Sequence, residues 1–313
     1  MTAKKTILVT GGGRGLARHL SEALARDGHR VVFTARDVAE GTRACAEIRA
    51  AVPTAQVTWH RLDLASFDDI RRFTTELPDT LRFDVLAHVA GVLQQSRTRR
   101  LSADGVEETL AVNALAPFLL THELMPRLGT GLHLPRVMCV SSRLHMPNAR
   151  GPSVAFNFED PSLAHDYDPD RAYKNSKLAL LWFTYELARR FPAPRLTAHA
   201  VCPGFVPATA AASTHGVMRL LMKHVMPWMP FATSVSEAVA SLRFTAVDPA
   251  LDQTTGDFWA EKKPFTSSAQ SRALLDARRF WAYAERVTDV GMWRAAPVQH
   301  RRVFGHENSL SLA

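Results

Sequence analysis

The chain has 313 residues, 46% of them hydrophobic and 22% charged, a composition typical of a globular protein with one sizeable core. Its formal net charge of +8 comes from scattered arginine pairs rather than a basic stripe with interleaved aromatic residues, which argues against nucleic-acid binding. The three cysteines include no CxxC pair and favour neither a disulfide framework nor a metal site, so a reducing, cytoplasmic location is expected. The apolar run at residues 7–9 is too short for a signal peptide or a membrane span.

Short β-prone runs alternate with helical patterns along most of the chain. Strands are expected at residues 7–9, 31–33, 57–59, 85–87, 136–140 and 196–201, and helices at 16–26, 39–51, 67–77, 105–128 and 172–190. This alternation predicts a doubly wound α/β domain with a parallel sheet, helices on both faces, and ligands at the carboxyl ends of the strands. We expect one domain over residues 1–290 and a tail over 291–313.

Two segments interrupt the alternation. Residues 144–171 are rich in Pro, Asn, Asp and His and are predicted to form a long surface insertion. The segment 213–232 is apolar and rich in methionine. It is either a helix packed on the core or a mobile lid over a hydrophobic substrate, since methionine adapts to irregular partners.

A glycine-rich sequence, TGGGRGLA at residues 10–17, lies between the first predicted strand and the first predicted helix. Glycines let the backbone turn tightly and approach a pyrophosphate, whose charge then meets the N-terminus of the helix. This predicts a nucleotide site that includes Gly11, Gly13, Arg14, Gly15 and Leu16.

Tyr173 and Lys177 are four residues apart and share one face of a predicted helix. A free phenol titrates near pH 10, and a neighbouring ammonium lowers its pKa by stabilising the phenolate. A pKa near 7 would make Tyr173 an effective acid–base and requires a shift of roughly 3 units, or about 4 kcal/mol. Ser142 follows a predicted strand and Asn113 lies within a long predicted helix, so both can join this pair.

Asn113, Ser142, Tyr173 and Lys177, in this order, resemble the catalytic tetrad of the short-chain dehydrogenase/reductase family, and residues 10–17 are similar to its TGxxxGxG motif. The resemblance covers most of the chain and implies a Rossmann-type fold. It implies that Ser142 binds the substrate oxygen while Tyr173 exchanges its proton. Lys177 would hold the nicotinamide ribose and Asn113 would anchor a water of the proton relay. Ser142 is preferred to Ser141 because the second serine of the pair usually faces the substrate in this family.

The resemblance also assigns the cofactor. Relatives that use NAD usually have an acidic residue at the end of the second strand, where this chain has Ala35 followed by Arg36. Arg36 and Arg14 match the charge and geometry of a phosphate, so the cofactor is expected to be NADP(H). The remaining implied cofactor contacts are Asp63, Leu64, His88, Ala90, Gly91, Tyr173, Lys177, Pro203, Gly204 and Val206.

Three positions depart from the family pattern. Ala17 replaces the last glycine of the TGxxxGxG motif, and His88 and Val89 replace the two asparagines of the usual NNAG sequence. A structural hydrogen bond is the favoured role for His88, with catalysis as the alternative.

The function expected from these residues is the NADP(H)-dependent interconversion of a carbonyl and an alcohol. The substrate is expected to be a small molecule with a bulky apolar group, and no metal is expected in the site. Residues 104–107, 173–179 and 186–190 resemble the retinol-dehydrogenase-like branch and the related carbonyl reductases. Two alternatives remain, a sensor that binds NADP(H) without catalysis and a reductase of polarised C=C bonds. A monomer is favoured over a homodimer.

Overall fold

The computed structural model of the chain describes residues 4–129, 133–147, 156–210, 220–222, 224–229, 231–291 and 293. Eight strands of these residues form one sheet in the order β3-β2-β1-β4-β5-β6-β7-β8. The strands are β1 (Thr6–Val9), β2 (Arg30–Ala35), β3 (Gln56–Arg61), β4 (Val85–His88), β5 (Arg136–Val140), β6 (Thr197–Cys202), β7 (Asp257–Ala260) and β8 (Lys263–Pro264). Strands β1 to β7 are parallel to their neighbours, and β8 pairs with β7 in the antiparallel sense.

Helices connect the parallel strands and cover both faces of the sheet. In the described residues they are α1 (Gly15–Arg26), α2 (Val38–Ala51), α3 (Phe67–Glu76), α4 (Glu108–Leu110), α5 (Ala116–Leu124), α6 (Pro169–Arg190), α7 (Pro207–Ala210), α8 (Val235–Val247) and α9 (Leu274–Val287). A π-helical turn, Ala111–Leu115, joins α4 to α5. The predicted doubly wound sheet is therefore confirmed, with a terminal antiparallel strand that the sequence did not predict.

The starts of most long helices are encoded locally by capping side chains. Asp37, Ser66 and Asp168 accept hydrogen bonds from backbone amides in the first turns of α2, α3 and α6. Ser234 and Glu237 form a capping box at the start of α8. Each cap satisfies amides that the helix cannot satisfy itself, which fixes where the helix begins.

Two large apolar clusters hold the helices against the sheet, one on each face. The larger cluster includes α6 and α9, where the rings of Phe183 and Trp281 stack 6.1 Å apart. The other cluster packs α1 and α2 against β1 and β2 through side chains such as Leu20, Leu24 and Ile48. Because both faces are covered, the functional groups of the sheet are confined to its edges.

The irregular segments are only partly described. Within 144–171, Phe156 and Leu163 are buried, and α6 already begins at Pro169, three residues before its predicted start. Residues 213–219, 223 and 230 of the 213–232 segment lie outside the described residues, as does the 291–313 tail except 291 and 293. None of the helices in the described ranges is long and apolar enough to span a bilayer.

Candidate active site

Four neighbouring strands end at one edge of the sheet and bring four loops together there. β1 leads into the glycine-rich turn, β4 into residues 88–91, β5 into Ser142, and β6 into the turn at Gly204. The carboxyl ends of parallel strands are where ligands bind in open α/β sheets. The sequence-predicted residues therefore meet at the expected edge, although they are widely separated along the chain.

The glycine-rich turn lies directly against the ends of β2 and β4. Gly11 has a φ of +76°, and a Cβ atom at this position would lie 2.9 Å from the Cβ of Ala90. The amide of Gly12 donates to the Thr34 carbonyl at 2.7 Å, and a Cβ here would lie 2.6 Å from atoms of the Phe33 side chain. Only glycine allows this path, which leaves the turn as bare backbone at the start of α1.

The N-terminus of α1 differs from those of α2, α3, α6 and α8 because no described side chain caps it. Arg14 occupies the cap position and its side chain makes no capping hydrogen bond, and the first turn of α1 has no acidic residue. The first amides of a helix need partners, and their dipoles attract negative charge. A turn of glycines without side chains, followed by a helix without a side-chain cap, can accommodate the pyrophosphate of a dinucleotide, because the helix amides attract its negative charge.

Two arginines flank the outer end of this turn. Arg14 is 59% exposed, and its Nη1 lies 3.7 Å from Oε1 of Glu40. Arg36 is exposed and follows β2 directly, whereas Ala35 before it is buried. The end of β2 thus presents a cation, with no carboxylate at position 35 or 36 to hold ribose hydroxyls.

Asp63 is held beside the end of β2 by backbone contacts. The amide of Leu62 donates to the Ala35 carbonyl at 3.0 Å, which fixes residues 62–64 next to β2. The Asp63 amide donates to Oδ2 of Asp69 at 2.6 Å, and Oδ1 of Asp63 accepts from Ala65 at 3.0 Å. Asp63 and the partly exposed Leu64 therefore lie beside the end of β2, and their contact with an adenine ring stays a prediction.

Thr10 holds the turn that follows β4, and sequence analysis gave this residue no role of its own. Its Oγ1 accepts hydrogen bonds from the amides of Val89 at 3.0 Å and Ala90 at 3.1 Å. These bonds hold residues 88–91 against the glycine-rich turn without the two asparagine side chains that the family commonly has there.

His88 points away from the reacting groups and into the core. It is buried, and its Nε2 lies 2.8 Å from Oγ1 of Thr121. Burial lowers the pKa of His88 to about 3, so the ring is neutral. This placement supports a structural role rather than a catalytic one.

Ser142, Tyr173 and Lys177 form the centre of the site. Ser142 lies close enough to Tyr173 for its side chain to lower the pKa of the phenol. Lys177 donates from Nζ to the Val140 carbonyl at 2.9 Å and lies 5.6 Å from the centroid of the Tyr173 ring. Ser141 turns the other way, because its buried hydroxyl donates to the Lys177 carbonyl at 3.0 Å. The geometry thus favours Ser142 over Ser141 as the substrate-facing serine.

The pKa of Tyr173 moves in the direction opposite to the one expected from the sequence. Burial raises it to about 12, and the neighbouring Ser142 side chain offsets only part of this effect. Burial also lowers the pKa of Lys177 to about 8. The lysine therefore does not make the phenol acidic here, because burial of the phenolate dominates the pKa of Tyr173.

Asn113 is placed by the π-helical turn and is fully engaged with the protein. Its Oδ1 accepts from the Val92 amide at 2.8 Å, and its Nδ2 donates to the Val92 carbonyl at 2.9 Å and to Oγ of Ser176 at 2.9 Å. Ser176 in turn donates to the Tyr173 carbonyl at 2.7 Å. Asn113 thereby ties the loop after β4 to the helix of Tyr173, and the water expected from the resemblance stays a prediction.

The turn after β6 also requires glycine. Gly204 has a φ of +83°, and a Cβ atom there would collide with the side chain of Thr233. Pro203 precedes it, and the carbonyl of Val206 accepts from Oγ1 of Thr209 at 3.1 Å. Thr209 lies beside Gly15, since a Cβ built on Gly15 would be 4.0 Å from that of Thr209. This turn therefore reaches across to the glycine-rich turn.

Comparisons with known proteins identify the family. Residues 5–150 match a model of short chain dehydrogenases. The chain is 32% identical to retinol dehydrogenase 12 of Mus musculus over 278 residues, which cover 88% of this chain and 84% of that protein. The chain belongs to the short-chain dehydrogenase/reductase family. It is similarly related to dehydrogenase/reductase SDR family member 13 of Bos taurus, with 31% identity over 92% of this chain and 74% of the relative.

Solved structures share the same fold. The crystal structure of an uncharacterized protein from Mycobacterium paratuberculosis has a TM-score of 0.69 and 28% identity, and the match covers 92% of this chain and 94% of that one. A blue fluorescent protein from a metagenomic library, solved with NADPH, has a TM-score of 0.62 and 23% identity over 82% of this chain and 95% of its own. The predicted family and its retinol-dehydrogenase-like branch are both confirmed.

Proposed function

We propose that this short-chain dehydrogenase/reductase uses NADP(H) to interconvert a carbonyl and an alcohol on a bulky apolar substrate. The observation that carries the proposal is the cluster of Ser142, Tyr173 and the buried Lys177. This cluster stands at the same sheet edge as the uncapped α1, which can hold the phosphates of a dinucleotide. Bound NADPH would supply the hydride in the reducing direction, and the chain would supply the proton.

The protonation state of Tyr173 supports reduction. Because burial raises its pKa to about 12, the phenol keeps its proton at neutral pH and can donate it to the oxygen of a carbonyl as that oxygen gains negative charge. Ser142 is placed to bind the same oxygen, and the ammonium of Lys177 stabilises the phenolate that remains. In the oxidising direction the same groups accept the proton of an alcohol.

The choice of NADP(H) over NAD(H) rests on the end of β2. Ala35 has no carboxylate for the ribose hydroxyls of NAD, while the exposed Arg36 and Arg14 can bind a 2′-phosphate. Glu40 lies 3.7 Å from Arg14 and is its acidic partner among the described residues. The 2′-phosphate would have to displace Glu40 from Arg14.

Exposed apolar side chains near the site support an apolar substrate. Leu93 and Leu144 are exposed on the loops that follow β4 and β5. Trp228 is 87% exposed, and Phe231 packs against Phe205 of the turn after β6, with centroids 6.0 Å apart. Several relatives are named retinol dehydrogenases, so retinaldehyde is a suitable first probe for this chain.

The proposal includes a monomeric state and a cytoplasmic location. Helix α9 covers part of α6, where Arg190 lies 4.4 Å above the Trp281 ring, so this part of α6 is not free to pair with a second copy. The three cysteines are buried and unpaired, as suits a reducing compartment. A sedimentation profile with a stable dimer at micromolar concentration would contradict the monomer.

The central test replaces Tyr173 by phenylalanine. We expect kcat for NADPH-dependent reduction of retinaldehyde or decanal to fall at least 10²-fold, because the acid–base is lost, while NADPH binding changes little. Tyr283→Phe is the matched control and should keep its activity, because the Tyr283 ring contacts Phe280 and Arg286 of its own helix α9.

Three outcomes would redirect the proposal. A Tyr173→Phe variant with most of its activity would contradict the acid–base role. Tight NADPH binding by the wild type without reduction of any carbonyl would favour the sensor. A saturated C–C product from an enone, with its carbonyl intact, would favour the C=C reductase.

A further inference from the structure

His145 lies three residues after Ser142 and is buried beside it. It ends the 3₁₀ turn Arg143–His145, which follows Ser142 directly. Only 2% of His145 is exposed, and its ring stands edge-on to that of Phe258, with centroids 5.6 Å apart. The same turn positions the Ser142 hydroxyl, whose oxygen accepts from the Leu144 amide at 3.2 Å.

Two backbone contacts determine which nitrogen of His145 carries the proton. Nδ1 lies 2.5 Å from the carbonyl oxygen of Ser142, and Nε2 lies 3.4 Å from the amide nitrogen of Ser268. A carbonyl can only accept and an amide N–H can only donate, so Nδ1 carries the hydrogen and Nε2 is the acceptor. The ring is therefore neutral, with both nitrogens engaged, and burial lowers its pKa in keeping with this state.

The segment behind His145 is anchored to the helix that carries Tyr173. Ser271 donates a side-chain hydrogen bond to Ser267 or to the Ser268 carbonyl, at 2.7 Å in either case. Tyr185 of α6 donates to Oγ of Ser267 at 2.8 Å, and Trp182 of α6 donates to the Gln270 carbonyl at 3.0 Å. His145 therefore links the Ser142 peptide to α6 through a buried polar network.

We propose that His145 is a positioning residue that holds the Ser142 carbonyl and so keeps the Ser142 hydroxyl facing Tyr173. The inference rests on the proposed function, since it concerns the serine that binds the substrate oxygen. His145 itself touches neither hydroxyl. It fixes the orientation of the peptide plane after Ser142. This matters because a small displacement of a hydrogen-bonding group in an active site lowers the reaction rate.

A pair of amide substitutions separates this role from simple packing. The substitution His145→Asn places an amide NH₂ near the position of Nδ1, where it can still donate to Ser142. His145→Gln places its amide near Nε2, which preserves the contact with Ser268 and loses the one with Ser142. Both variants remove the ring and its contact with Phe258, so their losses of stability are expected to be similar.

The readout compares kcat with cofactor binding. With retinaldehyde or decanal and NADPH, we expect kcat to fall at least tenfold in His145→Gln and no more than about threefold in His145→Asn. The Kd for NADPH should stay within about twofold of the wild-type value in both. Equal losses of kcat in the two variants, or activity within twofold of wild type in both, would overturn the proposal.

A second readout does not depend on turnover. The ¹⁵N shifts of the His145 ring, assigned by their loss in His145→Asn, should show the Nδ1–H tautomer at pH 7, and the Nε2–H tautomer would overturn the proposal. Tyr173→Phe, assayed in parallel, separates the two hypotheses. If it loses activity while both His145 variants keep theirs, only the positioning role of His145 fails. If the wild type reduces no carbonyl, the proposed function fails, and the positioning role of His145 fails with it.

Discussion

At the amino edge of the sheet, buried charges are bound to the protein's own groups, whereas at the carboxyl edge a glycine-rich turn leads into α1, whose N-terminus no described side chain caps. Both edges belong to the same strands, and both hold polar residues that water barely reaches. Buried polar groups need partners in either place. At the amino edge the fold supplies these partners, and at the carboxyl edge we propose that a bound cofactor supplies some of them.

Arg136, the first residue of β5, shows how the amino edge is closed. It is 1% exposed and donates to the carbonyls of Thr245 and Asp248 at 3.1 and 3.0 Å, and to Oδ1 of Asp252 at 2.6 Å. Its guanidinium thereby binds carbonyls at the end of α8, where a cation is favoured by the helix dipole. Lys5 adds a weaker contact to Asp252 at 3.8 Å.

Removing Arg136 should give the largest loss of stability. In Arg136→Met the carbonyls of Thr245 and Asp248 lose their donor and Asp252 loses its main partner. We expect the free energy of unfolding to fall by roughly 3 kcal/mol or more, measured by urea denaturation. The folded fraction should bind NADPH as the wild type does, because the site is at the opposite edge.

Arg278→Met is the matched control, since Arg278 is exposed on α9. In Arg278→Met the free energy of unfolding should fall by no more than about 0.5 kcal/mol. If Arg136→Met were as stable as this control, or if it lost NADPH affinity while still folded, the contrast between the two edges would be wrong.

His88 lies at the carboxyl edge, but its hydrogen-bond partner comes from the protein itself, as do the partners of the buried residues at the amino edge. The unfolded chain binds a proton at a histidine near pH 6.5, and the folded protein binds one at His88 only near pH 3. As the pH falls below 6.5, the unfolded state therefore takes up protons first and the folded state loses stability.

Replacing His88 by glutamine should remove this part of the acid sensitivity and keep an amide within reach of Thr121. Between pH 7 and pH 5, we expect the wild type to lose about 2 kcal/mol more unfolding free energy than His88→Gln. The exposed His165, changed to glutamine, should leave the pH dependence unaltered. Equal acid sensitivity in wild type and His88→Gln would show that His88 is not held neutral in the fold.

The sequence predicted the parallel sheet and the edge that carries the site, because strand periodicity, glycine placement and helix spacing are local signals. β7 and β8 were missed because Asp257–Ala260 is short and its pairing is set by β6, more than fifty residues away. The π-helical turn at Asn113 was also not predicted, since the residues on both sides of Asn113 continue the apolar pattern of a helix.

Roles that depend on burial could not be read from the sequence. Spacing places His145 near Ser142, but the second contact that defines its tautomer comes from Ser268, 123 positions further along the chain. The raised pKa of Tyr173 has the same origin, because spacing shows the neighbouring lysine and not the desolvation of the ring.

The central claim is that the open carboxyl edge holds NADP(H), and its most direct test is a titration with NADPH and, separately, NADH, followed by nicotinamide fluorescence. Arg36→Ala and Arg30→Ala are matched variants, since both arginines are exposed and stand at opposite ends of β2. We predict that the wild type and Arg30→Ala bind NADPH at least tenfold more tightly than NADH, a difference of about 1.4 kcal/mol, and that Arg36→Ala loses most of this preference. Equal affinity of the wild type for the two cofactors, or no binding of either, would contradict the account.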